Sequence, residues 1–473
     1  MKNKNILIYT GIVSICFLYT GSAFMSQSFR LMEFYSEQTV DIITSVFNYI
    51  LQAAGILFFS VGLNKYPSKV SSRKLFIYLL ITGSFFMCLS QLSNSGLAIQ
   101  ITGYIFNFHI GIYFGYYLAM ISQNISPKMS GLCFGSAYAI ASVGTYIMSR
   151  LKGGEFLVSK EVTAIYLIMA SLTIALVYMA NDLALALKEE DKCAGEETDS
   201  ESEHLNPNSY ISLVDAIKNK KSYLPELLGI VALITIIFSV GSGLYYSLPV
   251  ADSVNWNMIR AFYAIGLVLA GFIMDRNRFV GEVLAVASLT YPLIMLTLVG
   301  DGVTTTVALG MSYVVRGFMT IYYITAFTDL GWKKAENISL APLGLMTSRL
   351  AEAIITIPLM IYSHAEIAQL ILASACFVPL LILFVTLQSG KHAPEPMSEA
   401  KRFALYSEMF NLTSREMEIL QLLKDGRSDL EIADKLYISK NTVRFHISNL
   451  LKKTKVSSRI EAVQSLDKFY PEK

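Results

Sequence analysis

The chain has 473 residues; 53% are hydrophobic, only 16% are charged, the net charge is +2 and the mean hydropathy is +0.49. Average chains carry about 25% charged residues, so much of this one is kept from water, and its small net charge averages unlike regions. The five cysteines, Cys16, Cys88, Cys133, Cys193 and Cys376, stand singly, which indicates neither a disulfide framework nor a zinc site.

A membrane helix takes about 20 mostly apolar residues. Twelve stretches qualify: 5–28, 40–63, 75–92, 97–122, 131–149, 162–181, 224–248, 257–274, 280–300, 303–328, 338–361 and 367–388. The first follows Lys2 and Lys4 in the manner of a signal peptide. Eleven further spans come after it and no clear cleavage site does, so it reads as helix one. Lys and Arg concentrate in cytoplasmic connections. With the N-terminus inside, the inner segments hold 16 of them and the outer ones four, Arg30, Arg150, Lys152 and Lys160. Twelve crossings then return the C-terminus to the cytoplasm.

Residues 183–223 form the longest internal connection. Its acidic run KEEDKCAGEETDSESE has the composition of a disordered segment. The following SYISLVDAIKNKKSY sets Tyr210, Ile211, Leu213, Val214 and Ile217 on one helical face, ahead of Lys218, Lys220 and Lys221. That suits a helix on the inner membrane surface, or simply the start of the next span. Six spans, a long loop and six spans resemble the major facilitator superfamily, two six-helix halves related along the membrane normal. GFIMDRNR, Gly271 to Arg278, is similar to that family's Gly-x-x-x-Asp-Arg loop, whose charges pair across the cytoplasmic face. The first-half counterpart, GLNKYPSKVSSRK, keeps Gly62 but has Asn64 where the Asp would stand.

Ionisable groups at membrane depth are expensive and ask for a reason. Arg316 falls near the middle of span ten; Arg349 and Glu352 fall near the middle of span eleven, three apart on one face. They either pair and fix helix packing or leave one positive charge over. A carboxylate or other small anion would satisfy that charge with the bidentate geometry of arginine. His109, Tyr113 and Tyr116 in span four, Asn48 and Gln52 in span two, and Tyr245, Tyr246 and Trp256 in the second half are further candidates to line the same cavity. A lone His among aromatics is otherwise a packed, hydrogen-bonded residue. Gly111 and Gly115 form a GxxxG that lets two helices approach closely.

Beyond span twelve the composition turns polar. Residues 389–411 form a linker, with Pro394 and Pro396 interrupting regular helix. Within it Ser398 caps a short helix bearing Phe403, Tyr406 and Phe410 on one side. Four helices are then predicted in 412–473. The first starts at Thr413 or Ser414, with Glu416 placed for a capping box, and ends at Gly426. The second starts near Ser428. The third opens at Ser439 and buries Val443, Ile447 and Leu450. Its opposite face shows Lys440, Asn441, Arg444, Phe445, Ser448 and Lys452. The fourth runs from Ser457 to about Leu466. From Leu436 to Arg459 there are six cations and no acid. A helix that is apolar on one face and basic on the other, after a short turn, fits the DNA major groove.

The run from Leu412 through Thr413, Arg415, Glu416, Gly426, Ser428, Glu431, Ala433, Ser439, Thr442, Val443, Arg444 and His446 to Arg459 and Ala462 resembles the LuxR-type helix-turn-helix of bacterial regulators. The resemblance implies that Arg444, Phe445 and Ser448 face bases. Lys440, Thr442 and Lys452 then lie near phosphates, and Ile460, Val463 and Leu466 are candidates for a dimer contact. Asp429 stands where Asn is common, and Thr454-Lys455 replaces a usual Leu-Gly.

The chain is therefore expected to be all-α: a twelve-helix bundle over 1–388, a linker over 389–411 and a DNA-binding domain over 412–473. The whole resembles membrane-anchored LuxR-type regulators with a facilitator-like sensor in the bacterial inner membrane, both termini cytoplasmic. Expected partners are double-stranded DNA, the bilayer, a small-molecule ligand with an anion as the candidate, a second copy on DNA and, further, RNA polymerase. No cofactor is expected. No Walker loop, HExxH or nucleophile elbow points to an enzyme. The alternative is a transporter carrying a regulatory tail.

Overall fold

In hydrocarbon every backbone N–H and C=O must be satisfied within its own segment, so long apolar runs become continuous helices. The computed structural model describes residues 2–70, 72–193, 213–218, 223–246, 256–291, 302–333, 335–362, 365–391, 399–467 and 469. Every regular element among them is helical. The chain divides into two units, Met1–Leu387 and Gln388–Lys473.

In the first unit α1 is Lys2–Met32, α2 Glu37–Asp41, α3 Asn48–Lys65, α4 Pro67–Val70, α5 Arg73–Leu92, α6 Gly96–Asn124, α7 Pro127–Arg150 and α8 Val162–Cys193. There follow α9 Leu213–Lys218, α10 Leu224–Tyr246, α11 Trp256–Arg276, α12 Arg278–Ala287, α13 Gly302–Lys333, α14 Leu343–Ile361 and α15 Glu366–Lys391. Ten helical segments among the described residues are long and apolar enough to cross a membrane. The stretch expected at 257–274 lies within α11. That expected at 280–300 begins as α12, and 292–300 fall outside the described residues. So do 194–212, which hold the rest of the acidic run of the expected loop; its first part, KEEDKC, is helical at the end of α8. Helix α8 continues to Cys193, beyond the expected end of span six.

Packing joins α1 to α7, α3 to α6, and α11 to both α7 and α13. Small residues set these distances. A Cβ on Gly271 of α11 would lie 2.5 Å from the carbonyl oxygen of Gly131 on α7. One on Gly111 would collide with the Gln52 carbonyl of α3, so the GxxxG of α6 does seat a neighbouring backbone. Where α1, α3 and α6 meet, Gln52 Nε2 donates to Asn107 Oδ1 at 2.7 Å and Asn107 Nδ2 donates to Gln27 Oε1 at 3.1 Å.

The second unit holds α16 Glu399–Phe410, α17 Ser414–Lys424, α18 Asp429–Leu436, α19 Lys440–Thr454 and α20 Arg459–Asp467. Its starts follow from capping chemistry. Thr413 and Glu416 form the anticipated capping box, Ser428 and Glu431 form a second, and Ser439 accepts from Thr442 N. Gly426 ends the α17 turn at φ 75°. Phe403 and Tyr406 of α16 pack with Leu412, Leu420, Leu450, Ala462 and Leu466, and Tyr406 hydroxyl bonds Ser465 Oγ at 3.1 Å. The short helix read inside the linker is thus an integral part of this unit.

Candidate functional site

Two sites emerge, one in each unit. In the first, α1, α3, α6, α7, α10, α11, α13 and α14 enclose a cavity of about 340 Å³. Its charged floor comes from α13 and α14. Arg316 Nη2 donates to Glu352 Oε1 at 3.0 Å, and Arg349 Nη1 lies 3.7 Å from Glu352 Oε2. The three-residue spacing on α14 and its packing beside α13 bring the three charges together. One carboxylate thus serves two guanidiniums, leaving the cluster at +1. Aromatic faces supply part of the compensation. The Arg349 guanidinium sits 4.4 Å from the Tyr49 ring centroid, and that of Arg316 sits 5.4 Å from Phe238. Arg349 Nε is buried without a hydrogen-bond acceptor.

Hydroxyl groups surround this floor. Thr235 Oγ1 donates to Ser348 Oγ at 3.3 Å, and Tyr263 and Thr320 share a hydrogen bond of 3.1 Å. The cavity therefore combines excess positive charge, ring faces and short polar donors, a lining suited to a small organic anion. Gln52 reaches it too.

His109 and Tyr113 do not line it. His109 Nδ1 meets Ile105 O at 2.8 Å, Nε2 meets Thr82 Oγ1 at 3.2 Å, and Tyr113 hydroxyl donates to Leu79 O at 3.0 Å. Their place in the cavity is corrected: they sit on the α6 face turned toward α5, where protein partners satisfy their polar atoms. Tyr116 faces the same way, stacking on Phe76 at 4.0 Å. The side chains of Tyr245, Tyr246 and Trp256 lie outside the described residues. Tyr49 and Tyr263 escaped the sequence reading, because nothing local separates a cavity tyrosine from the other tyrosines.

At one end of the bundle the Gly-x-x-x-Asp-Arg stretch ties the halves together. Asp275 accepts from the amides of Gly131 and Leu132, at 2.8 and 2.7 Å, in the second turn of α7. Arg278 donates to both oxygens of Asp329, at 2.8 and 2.9 Å, and to Pro127 O at 2.9 Å. Asp329 belongs to α13 and carried no local signal.

In the second unit Val443 and Ile447 are buried against α17 and α18, and Leu450 against α16, α17 and α20. That orientation leaves Lys440, Asn441, Arg444, Phe445, Ser448 and Lys452 exposed on α19. Thr442 is half-buried and bonds Ser439 Oγ at 2.8 Å. Asp429 of α18 pairs with Arg444 Nε at 3.2 Å and with Arg459 Nη1 at 2.6 Å. Burial alone would raise its carboxyl, but hydrogen bonds from Arg459 and Arg444 outweigh that and hold it below the usual range. Glu416 behaves alike: burial pushes it up, and Lys453 at 2.7 Å with the Thr413 amide at 2.8 Å brings it down on balance.

The dimer candidates separate. Leu466 is fully buried in the unit's own core and Val463 packs partly against it, whereas Ile460 is 70% exposed. The expectation for Leu466 is corrected: α16 and α17 already cover it. Lys455, at the turn after α19, adopts a left-handed conformation at φ 57°, and Thr454 Oγ1 donates to Leu450 O at 2.8 Å.

With this geometry in place, residues 410–466 match the luxR family of bacterial regulatory proteins. The tail is a LuxR-type helix-turn-helix DNA-binding domain. Over 80 residues it is 45% identical to the transcriptional regulatory protein DesR of Bacillus subtilis, covering 16% of this chain and 38% of DesR. Over 52 residues it is 52% identical to the transcriptional regulatory protein DegU of Brevibacillus brevis, covering 11% of this chain and 22% of DegU. The match thus spans well under half of either relative. The apolar part has the major facilitator fold. The chain superposes on the proton:xylose symporter XylE with a TM-score of 0.56 and 12% identity, over 83% of this chain and 97% of that one. It superposes on the E. coli fucose:proton symporter FucP with a TM-score of 0.51 and 13% identity, over 80% and 98%. The chain is a membrane protein carrying a DNA-binding regulator domain.

Proposed function

We propose that this chain is a membrane-held, one-component transcription regulator of the bacterial inner membrane, both termini cytoplasmic, whose facilitator-like part senses a small organic anion. The observation that carries the reading is the +1 cluster of Arg316, Arg349 and Glu352 lining an aromatic cavity, in one chain with a LuxR-type domain. A ligand that binds one arrangement of the two halves more tightly shifts their equilibrium by its differential affinity. A 99:1 reversal needs about 5.5 kcal/mol of preference, so a graded response is expected. The signal passes through the chain before Glu399 and controls how two tails engage a two-fold operator. Arg444, Phe445 and Ser448 meet base edges there; Lys440, Asn441, Thr442 and Lys452 hold the backbone. Ile460 meets its counterpart, and bound tails recruit RNA polymerase.

The test combines a reporter with flux. Cells carrying the chain and a reporter of its operator are exposed to small carboxylates, and Arg349→Gln is compared with wild type. Loss of response with DNA affinity retained supports the reading; a normal response in the variant removes it. The facilitator fold favours a second reading, transport, which substrate-driven uptake into vesicles would establish.

A further inference from the structure

A second cavity, of about 710 Å³, opens on the outer face of the bundle between α3, α5 and α6. Phe58 and Val61 from α3, Leu75 and Leu79 from α5, and Phe108 and Ile112 from α6 make its walls. The lining is almost wholly carbon, and its single charged member is Lys65, at the end of α3. Phe58 is 62% exposed although its ring lies 5.7 Å from that of Phe108, so the groove is open to the surrounding medium. Water in a groove of this lining would lack hydrogen-bonding partners, and an empty groove would forfeit the dispersion contacts of its walls.

The rim has one chemical sign. The ammonium groups of Lys65 and Lys69 sit 5.6 and 5.8 Å from the centroid of one ring, that of Tyr66. All three side chains are exposed. No acid occurs from Ala54 to Leu79, and none lines the groove. A tyrosine flanked by lysines at the end of an apolar helix is the composition of a membrane interface. Two ammoniums beside one interfacial ring offer charge-assisted donors to a phosphate oxygen, and basic pockets beside apolar helices select anionic head groups.

We infer that this groove holds one anionic phospholipid, an acyl chain lying between α3, α5 and α6 and the head-group phosphate held by Lys65 and Lys69. The site is separate from the charged cavity and stands without the sensing reading. The apolar groove places the chain, and the two lysines decide which lipid enters.

The experiment uses the full chain purified in a neutral maltoside detergent. Bound lipid is counted by native mass spectrometry while phosphatidylglycerol, phosphatidylcholine of the same chains, or inorganic phosphate is titrated in. Phosphatidylglycerol is expected to bind at least tenfold more tightly than phosphatidylcholine, and inorganic phosphate alone is expected not to bind. K65Q/K69Q brings phosphatidylglycerol down to the phosphatidylcholine level. Ala54→Trp, an exposed position on the groove wall, weakens both lipids. Equal binding of the two lipids, retained selectivity in K65Q/K69Q, or capture of inorganic phosphate at this site would each overturn the proposal. Should a variant fail to fold, a photoactivatable phosphatidylglycerol on the wild-type chain decides instead. Label in residues 54–79 supports the site, and label only elsewhere, or a second copy of the chain covering the groove, refutes it.

Discussion

The Asp429 carboxylate accepts from Arg444 Nε at 3.2 Å, so an acid on α18 ties down an exposed side chain of α19. Arg459 of α20 shares the same carboxylate, and the three helices meet at one charge. The departure from Asn at position 429 thus has a structural consequence. Because the folded-state carboxyl is held low, its contribution is present above the ordinary aspartate pKa of about 4. It is lost as pH falls through the folded value. Asp429→Asn is expected to lower tail stability at pH 7 by about 1 kcal/mol, the arginines being largely exposed. It should also flatten the loss below about pH 4, read by thermal unfolding across pH. Arg444→Ala should weaken operator binding about tenfold or more with the membrane part intact.

Charge balance in the first cavity gives a second prediction. Glu352→Gln removes the acid shared by Arg316 and Arg349 and leaves two unbalanced guanidiniums; a loss of about 3 kcal/mol is expected. The double variant E352Q/R316M restores neutral bookkeeping apart from Arg349 and should recover part of that loss. Thermal aggregation of the purified chain reads both. Equal stability of the single and double variants would show that Arg316 costs nothing when its carboxylate is removed.

Ile460 and Leu466 lie on one short helix and separate association from folding. Leu466→Asp places a charge in the packed core and should unfold the tail. Ile460→Asp should leave its thermal transition within about 0.5 kcal/mol, as at ordinary surface positions, while reducing cooperative binding to a two-site operator. Gel shifts on one and two half-sites make the comparison; unchanged cooperativity would remove Ile460 from the dimer contact.

The turn after α19 offers a stabilising change. Lys455 holds φ 57°, a region that an L side chain enters at a penalty and glycine does not. Lys455→Gly should raise tail stability by about 0.5–1 kcal/mol, less the entropy that glycine adds to the unfolded chain. A lowered melting temperature would show that Lys455 makes a compensating contact.

The sequence by itself determined the all-helical class, the LuxR-type tail, its capping signals and the buried stripe of α19. These are local: a 3.6-residue period, a cap three residues from its partner, an apolar run of fixed length. It also singled out Arg316, Arg349 and Glu352, because charge amid hydrocarbon is conspicuous in any context. Only the tertiary structure decided that one carboxylate serves both arginines, that Tyr49 stacks on Arg349, and that Arg278 reaches Asp329 from another helix. It likewise turned His109 and Tyr113 toward α5 and sealed Leu466 beneath α16. Each of these depends on which face a helix gives to a neighbour distant in sequence, and periodicity names a face without naming what it meets.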